Sequence, residues 1–433
     1  MAKVLFRGGR VVDPASGTDR TADVLVEDTM ISEVGEGLSP SGAAEVVDCD
    51  GLVVAPGLVD LHTHLREPGR EDAETIETGS RAAALGGYTA VVAMPNTDPV
   101  ADQLAIVLEV AARGEKAGLV DVIPASAITK GLEGESLVEM GELSAAGVRL
   151  FTDDHRSVQS ARTMRLALEY AKAFDVVICQ HAQDDTLAED AQMHEGHYSA
   201  ILGLRGFPRE GEEVTVARDI LLARLSGGRL HVTHTSSAGS VELIRRARAE
   251  GVRVTADATP HHLALTDEAL VTYDTRFKVN PPIRSEEDRD GLRQGLADGT
   301  IDAVATDHAP HAVEDKEVEF DHARPGTTGL ETALAVVLTE LVEPGLLDLP
   351  SAIRAMSTEP ARILGLHEQG GPFEPGQTAN LVVFDPAEAW TVGERPFATK
   401  GRNCAFVERE VRGRVRHTML RGTFTVREGQ ATR

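Results

Sequence analysis

The chain has 433 residues, 42% of them apolar and 26% charged, the composition of a globular protein with room for a barrel-sized domain and a smaller companion. A formal net charge of −26 argues against nucleic acid or an anionic membrane as partner, and any anionic small molecule would need cations placed locally to hold it. No run approaches the ~20 apolar residues of a membrane span, and the stretch Met1–Arg7 is too short for a signal peptide. Three widely spaced cysteines, Cys49, Cys179 and Cys404, make no disulfide framework, so a cytoplasmic protein is expected. Seven lysines stand against thirty-six arginines.

Up to about residue 54 the sequence reads as short strands punctuated by turns: Val4–Phe6, Arg10–Val12, Asp23–Glu27, Met30–Val34 and Ala44–Val47. The end from about Gly370 reads alike, with Ala379–Phe384, Val411–Leu420 and Gly422–Glu428. Two β-rich ends flanking a different middle are expected to pair into one small composite β-domain, 1–54 with 370–433, bringing the termini together.

Residues 55–369 alternate apolar runs with helical patterns. The runs are Leu58–Leu61, Thr89–Ala93, Val122–Ala127, Val148–Phe151, Val176–Cys179, Leu230–Val232, Val252–Ala256 and Ile301–Ala305. Amphipathic helices are expected at Ala105–Ala117, Thr163–Ala173, Val214–Leu225 and Ser240–Glu250, with helix-plus-loop insertions over Asp184–Glu213 and Leu263–Gly299. Eight strands alternating with helices predict an α/β fold, a (β/α)8 TIM-type barrel.

In such a barrel, chemistry gathers at the C-terminal ends of the strands. The first run leads into His62, His64 and Arg66. In an extended chain these alternate residues share a face, so two imidazoles and a guanidinium can converge. Imidazole ligates zinc and similar metals, and a guanidinium grips a carboxylate in bidentate fashion. A lone His-x-His is weak, but the other strand ends add to it. They carry Met94–Pro99, Ala127–Lys130, Phe151-Thr152-Asp153-Asp154-His155, Gln180-His181, Thr233-His234-Thr235, Asp257–His262 and Thr306–His311. Four histidines and two or three carboxylates at different strand mouths can hold two metal ions, bridged by one carboxylate and a hydroxide. His231 is expected inside the barrel below them, and His261 and His262 within the loop after strand seven. His155, His194, His197, His322, His367 and His417 read as surface or structural. The acidic runs Glu71–Glu77 and Glu314–Asp321 read as solvated faces.

The motifs His62-Thr63-His64-Leu65-Arg66-Glu67-Pro68-Gly69, Pro95-Asn96-Thr97-Asp98-Pro99 and Thr306-Asp307-His308-Ala309-Pro310-His311 closely resemble those of the dihydroorotases of the amidohydrolase superfamily, in their longer bacterial type. The resemblance runs from about residue 3 to 430. It implies reversible ring opening of dihydroorotate to N-carbamoyl-L-aspartate in pyrimidine synthesis, with one or two Zn²⁺ per chain. It implies that His62, His64 and Asp307 bind one metal and His181 and His234 the other. The bridge falls by the family's spacing on Asp154, with Asp153 as the near alternative. Superfamily members commonly bridge with a carboxylated lysine, but no lysine stands on strand four, and Lys130 at a neighbouring strand end reads as structural. Asp307 would also shuttle the catalytic proton. Arg66, Asn96 and His311 would hold the substrate carboxylate, Asn280 the ring, and Pro325 and Gly326 would close over it with backbone groups. A homo-oligomer and an aspartate transcarbamoylase partner are further implications.

Two residues depart from the family pattern. Gln183 stands where a glutamate is usual and would loosen the orientation of His181. His155 stands where glycine is usual, which questions the local backbone. Rival readings are a sibling cyclic-amide hydrolase (hydantoinase, dihydropyrimidinase or allantoinase) and a non-catalytic homologue that scaffolds aspartate transcarbamoylase. The missing lysine and Arg66 speak against the first, and retention of every ligand against the second.

Overall fold

A computed structural model describes residues 3–39 and 44–433; Met1, Ala2 and residues 40–43 of the predicted β-rich end lie outside the described residues. Eight short strands carry the middle of the chain. They are strand one Leu58–Thr63, two Tyr88–Ala93, three Asp121–Pro124, four Leu150–Phe151, five Val177–Gln180, six Arg229–Val232, seven Val254–Ala258 and eight Ala303–Val304. Each overlaps its predicted run. All neighbours are parallel, in two arcs of three and five strands in chain order. Two parallel bridges, Ser126 with Phe151 and Thr63 with His308, join the arcs into a closed ring.

The strands are buried on both faces, as a parallel barrel requires. On strand five, Val177 and Cys179 cluster with Leu61, Val92, Leu150 and Ala303 from other strands, so this face is the barrel interior. Ile178 between them packs instead with Val216, Ile220 and Leu168 of the outer helices. Local signals start those helices. Ser160, Ser237 and Ser285 each accept the main-chain N–H three residues on, capping helices Ala161–Ala171, Ala238–Ala249 and Glu286–Ala297.

Both expected insertions are shorter than the sequence suggests. The helix before strand six begins at Glu210, which leaves 184–209 for a loop holding helix His197–Leu202 and the paired short strands Met193–His194 and Gly206–Phe207. Glu286–Ala297 is the regular helix between strands seven and eight, so the second insertion ends at its cap, Ser285. No helix of the described residues is long and apolar enough to cross a membrane.

Strands from both chain ends form one nine-stranded sheet. Lys3–Asp13 pairs with Thr18–Glu27 and, in parallel, with Val53–Pro56, which in turn pairs with Leu381–Thr391. Val53–Pro56 runs directly into strand one, so the sheet anchors the chain at the barrel's first strand. One face of Leu381–Thr391 is apolar against the barrel: Val382 and Phe384 are fully buried with Leu58, Tyr88, Leu334 and Leu338. Phe384→Ala is therefore expected to cost about 3–5 kcal/mol in denaturant unfolding, and a loss below about 1 kcal/mol would contradict this docking.

Candidate active site

The strand ends place Asp154 at the centre of four imidazoles. Its Oδ1 lies 3.3 Å from His62 Nε2, 3.6 Å from His234 Nε2 and 4.0 Å from His181 Nδ1, and its Oδ2 lies 3.4 Å from His64 Nε2. His62, His64 and Asp154 form one group that could hold a metal ion, and Asp154, His181 and His234 a second, with Asp154 in both. Asp307 Oδ1 stands 3.3 Å from His64 Nε2 and 3.6 Å from His62 Nε2. The donor set fits a divalent cation. His62 Nε2 is a buried nitrogen with no hydrogen-bond partner, aimed at two carboxylates, an arrangement costly to leave uncompensated.

The electrostatics agree. Burial works against protonation of His62, but Asp154 and then Asp307 outweigh it and raise its pKa to about 10. Burial also opposes charge on Asp154 and Asp307, yet the surrounding histidines hold both carboxyls well below the usual range. Burial and the neighbouring His234 push His181 down to about 4. The site is a buried pair of carboxylates ringed by imidazoles.

Two of the candidate ligand rings are held from behind, and the strand ends that carry the site are secured by buried acids. Thr233 Oγ1 meets His62 Nδ1 at 2.8 Å, and Asn96 Oδ1 meets His64 Nδ1 at 3.0 Å. Asp257 binds the His234 main-chain N–H at 2.6 Å and His231 Nε2 at 2.8 Å, which places His231 inside the barrel as expected. Asp60 accepts Thr63 Oγ1 and the Thr306 N–H. Asp153 accepts the N–H groups of Ile128 and Thr129 at 2.8 and 2.9 Å. Its oxygens secure the end of strand three, and only Asp154 faces the imidazoles.

A cavity of about 310 Å³ opens above this cluster. Of the twelve residues singled out from sequence, all but the buried His62 line it: His64, Asp154, His181, His234 and Asp307 with Arg66, Asn96, Asn280, His311, Pro325 and Gly326. Arg66 Nε donates to Pro310 O at 3.1 Å, and burial and Arg70 push its pKa down to about 10, which leaves it charged. His311 donates to Pro325 O at 2.9 Å. Gly326 has φ +143°, and a Cβ there would lie 2.8 Å from His311 Nε2, so both backbone and space demand glycine.

The two departures resolve simply. His155 adopts φ +57°, the left-handed conformation glycine would take more cheaply, and bonds Asn96 Nδ2 at 3.2 Å on the cavity wall. Gln183 Oε1 lies 3.3 Å from His181 Nε2 and accepts Asn280 Nδ2 at 3.1 Å, so it still offers the acceptor a glutamate would. The acidic runs are solvated as expected at most of their acids, with two exceptions. Glu74 is fully buried, bonded to Thr399 and 3.4 Å from His308 Nε2, and Asp315 pairs with Arg70 and Arg324. Lys130 is exposed beside Glu139 and does not face the cavity.

The Dihydro-orotase-like family model matches residues 51–240. The chain is 51% identical to the dihydroorotase of Streptomyces coelicolor over 100% of both chains, and 51% identical to that of Mycobacterium tuberculosis over 99% of both. The chain belongs to the dihydroorotase family. Among solved structures it is similar to the L-hydantoinase (dihydropyrimidinase) of Arthrobacter aurescens, with a TM-score of 0.90 at 28% identity, covering 100% of this chain and 98% of that one. It is also similar to the dihydropyrimidinase of Brevibacillus agri, with a TM-score of 0.85 at 25% identity, covering 99% and 96%. Those likenesses agree with a closed barrel carrying a β-domain.

Beyond the family motifs, Thr233, Asp257, Arg70, Arg324 and Asn403 shape the dihydroorotase site. Thr233 and Asp257 stand in strand ends read from sequence, whereas Arg70, Arg324 and Asn403 left no trace there. Asn403 donates to Ala309 O and Gly326 O and accepts the His311 N–H, tying together loops that sequence separates. Removal of a group that orients a metal-binding histidine typically costs about 10–100-fold in affinity. Thr233→Val, which deletes the Oγ1 behind His62, is expected to lose metal affinity by that factor in a chelator competition; unchanged affinity would remove Thr233 from this role.

Proposed function

We propose that the protein catalyses the reversible interconversion of (S)-dihydroorotate and N-carbamoyl-L-aspartate. The observation carrying this reading is a single cavity in which a carboxylate shared by four imidazoles meets a charged arginine wall. His62, His64 and Asp307 would hold one ion and His181 and His234 the other, with Asp154 bridging. Zinc suits this nitrogen–oxygen donor set. When bound, the metal supplies a water ionisable near neutral pH and Lewis-acid polarisation of a carbonyl.

The chain's own residues then do the rest. Arg66, with Asn96 and His311, binds the ring carboxylate, and Arg70 and Arg324 beside it offset the acidic field of the whole protein. Asn280 and the backbone of Pro325 and Gly326 face the ring. Asp307 takes the proton of the attacking water and passes it to the ring nitrogen. As the carbon–nitrogen bond breaks, that nitrogen leaves as the ureido NH2 and the carbonyl carbon becomes a second carboxylate. In the closing direction Asp307 works from its protonated form.

A neutral-ring hydrolase is the competing reading, favoured by the hydantoinase likeness alone. Against it stand Arg66 in the cavity and Asp154, with no lysine, at the end of strand four. The same proposal extends to self-association and an aspartate transcarbamoylase partner, on the family resemblance.

Asp307→Asn cannot carry the proton. General acid–base catalysis contributes about 10²–10⁴-fold, so a loss of at least that size in both directions, with unchanged fold, is expected; activity within a few-fold of wild type would assign the proton elsewhere. Arg66→Met breaks a charge-assisted pair with the substrate, a change that typically costs about 2–5 kcal/mol. A fall of roughly thirty-fold to several thousand-fold in kcat/KM for dihydroorotate, at normal metal content, is expected, and normal turnover would contradict the substrate assignment.

A further inference from the structure

Two of the seven lysines are buried side by side next to the cavity. Lys278 is 6% and Lys316 7% exposed, unusual for a residue type found overwhelmingly at the surface. Every hydrogen-bond acceptor of the Lys316 ammonium is a main-chain carbonyl: Arg324 O at 2.8 Å, Gly326 O at 3.1 Å and Lys278 O at 3.4 Å. Lys278 Nζ likewise donates to Phe320 O at 2.7 Å and Asp321 O at 3.0 Å. Gly326 N–H closes the arrangement on Lys278 O at 2.8 Å.

The geometry is specific to an ammonium. Three carbonyls converging on one point match the three donors of a lysine, whereas a guanidinium spreads its donors along a planar fork. In a chain with thirty-six arginines, a lysine at this point is therefore informative. The carbonyls it gathers belong to two segments that carry cavity residues: Arg324, Pro325 and Gly326 on one, and Asn280, two residues beyond Lys278, on the other.

We propose that Lys316 is a positioning residue. Its ammonium pins the Arg324–Gly326 turn to the Lys278–Asn280 segment, in the one arrangement that presents Gly326, Pro325 and Asn280 to the substrate ring. Lys316 is not among the residues that line the cavity, so its loss acts on substrate binding and leaves the chemistry standing. This rests on the reading of Asn280, Pro325 and Gly326 as ring contacts.

The test compares full-length, metal-loaded wild type with Lys316→Met by two measurements. Amide hydrogen exchange at Gly326 reports the turn itself, and steady-state kinetics with dihydroorotate report its consequence. The variant is expected to lose at least about tenfold in exchange protection at Gly326, with protection in the barrel strands unchanged. Its KM should rise at least about tenfold while kcat falls less than about threefold and metal content stays normal. Lys130→Met, at the surface, should change neither measurement. If Lys316→Met fails to fold, Lys316→Gln, a neutral donor of shorter reach, is read in the same way. Unchanged protection at Gly326 would overturn the proposal, as would lost protection with KM within twofold of wild type, or a fall confined to kcat. A wild type that does not turn over dihydroorotate contradicts the functional reading alone, and the exchange at Gly326 still decides whether Lys316 holds the turn.

Discussion

The arrangement that everything else serves is one buried carboxylate, Asp154, within 4.0 Å of four imidazole rings. In a low-dielectric interior such a group is tolerated only if positive charge or donors surround it. Burial works against its charge, and the histidines more than reverse that penalty. The barrel supplies what this requires. Its strand ends converge from several parts of the sequence onto one point, and each contributes one short side chain held by a fixed backbone. The sheet built from both chain ends docks on the barrel through Val382 and Phe384 and leads directly into strand one, where His62 and His64 begin the site.

A division of labour among the buried acids follows from the hydrogen bonds. Asp60, Asp153 and Asp257 spend their oxygens on main-chain N–H groups, hydroxyls and one imidazole. They are satisfied, and they lock the strand ends. Among the described residues Asp154 and Asp307 bond no main-chain group of this kind, and they face the histidines. A buried acid that secures backbone is structural by that fact, and one that faces only titratable rings is available for metal and proton.

The convergence of the candidate ligands was legible in sequence because each lies at or just beyond the end of an apolar run, and barrel geometry brings such positions together whatever their distance along the chain. The choice between Asp153 and Asp154 was not legible from the residues alone, since neighbours at a strand end point to opposite sides and only the torsions after Phe151 decide which turns inward. Arg324, Asn403 and Lys316 carried no local signal: their partners lie on other loops or are main-chain carbonyls, which leave no mark on residue type. In the acidic run Glu71–Glu77 one residue escapes the reading for a related reason. The run looks solvated, but Glu74 is buried against Thr399 and His308, far along the chain. The insertions were overestimated because a helix rich in charge, such as Glu286–Ala297, shows a weak apolar stripe beside its loop.

The chain belongs to the dihydroorotases and shares its fold with a hydantoinase. The difference lies in what the cavity reads. Dihydroorotate carries a ring carboxylate that dihydrouracil lacks, and Arg66 lines the cavity, where a neutral ring would offer it no anion, beside Arg70 and Arg324, which pair with Asp315. The most direct measurement is kcat/KM of the zinc-loaded wild type for dihydroorotate and for dihydrouracil under the same conditions. A site built to bind a polar group rejects an analogue without it by about 10⁴-fold, and a preference of that order for dihydroorotate is the predicted result. Comparable turnover of the two, or a preference for dihydrouracil, would contradict the account.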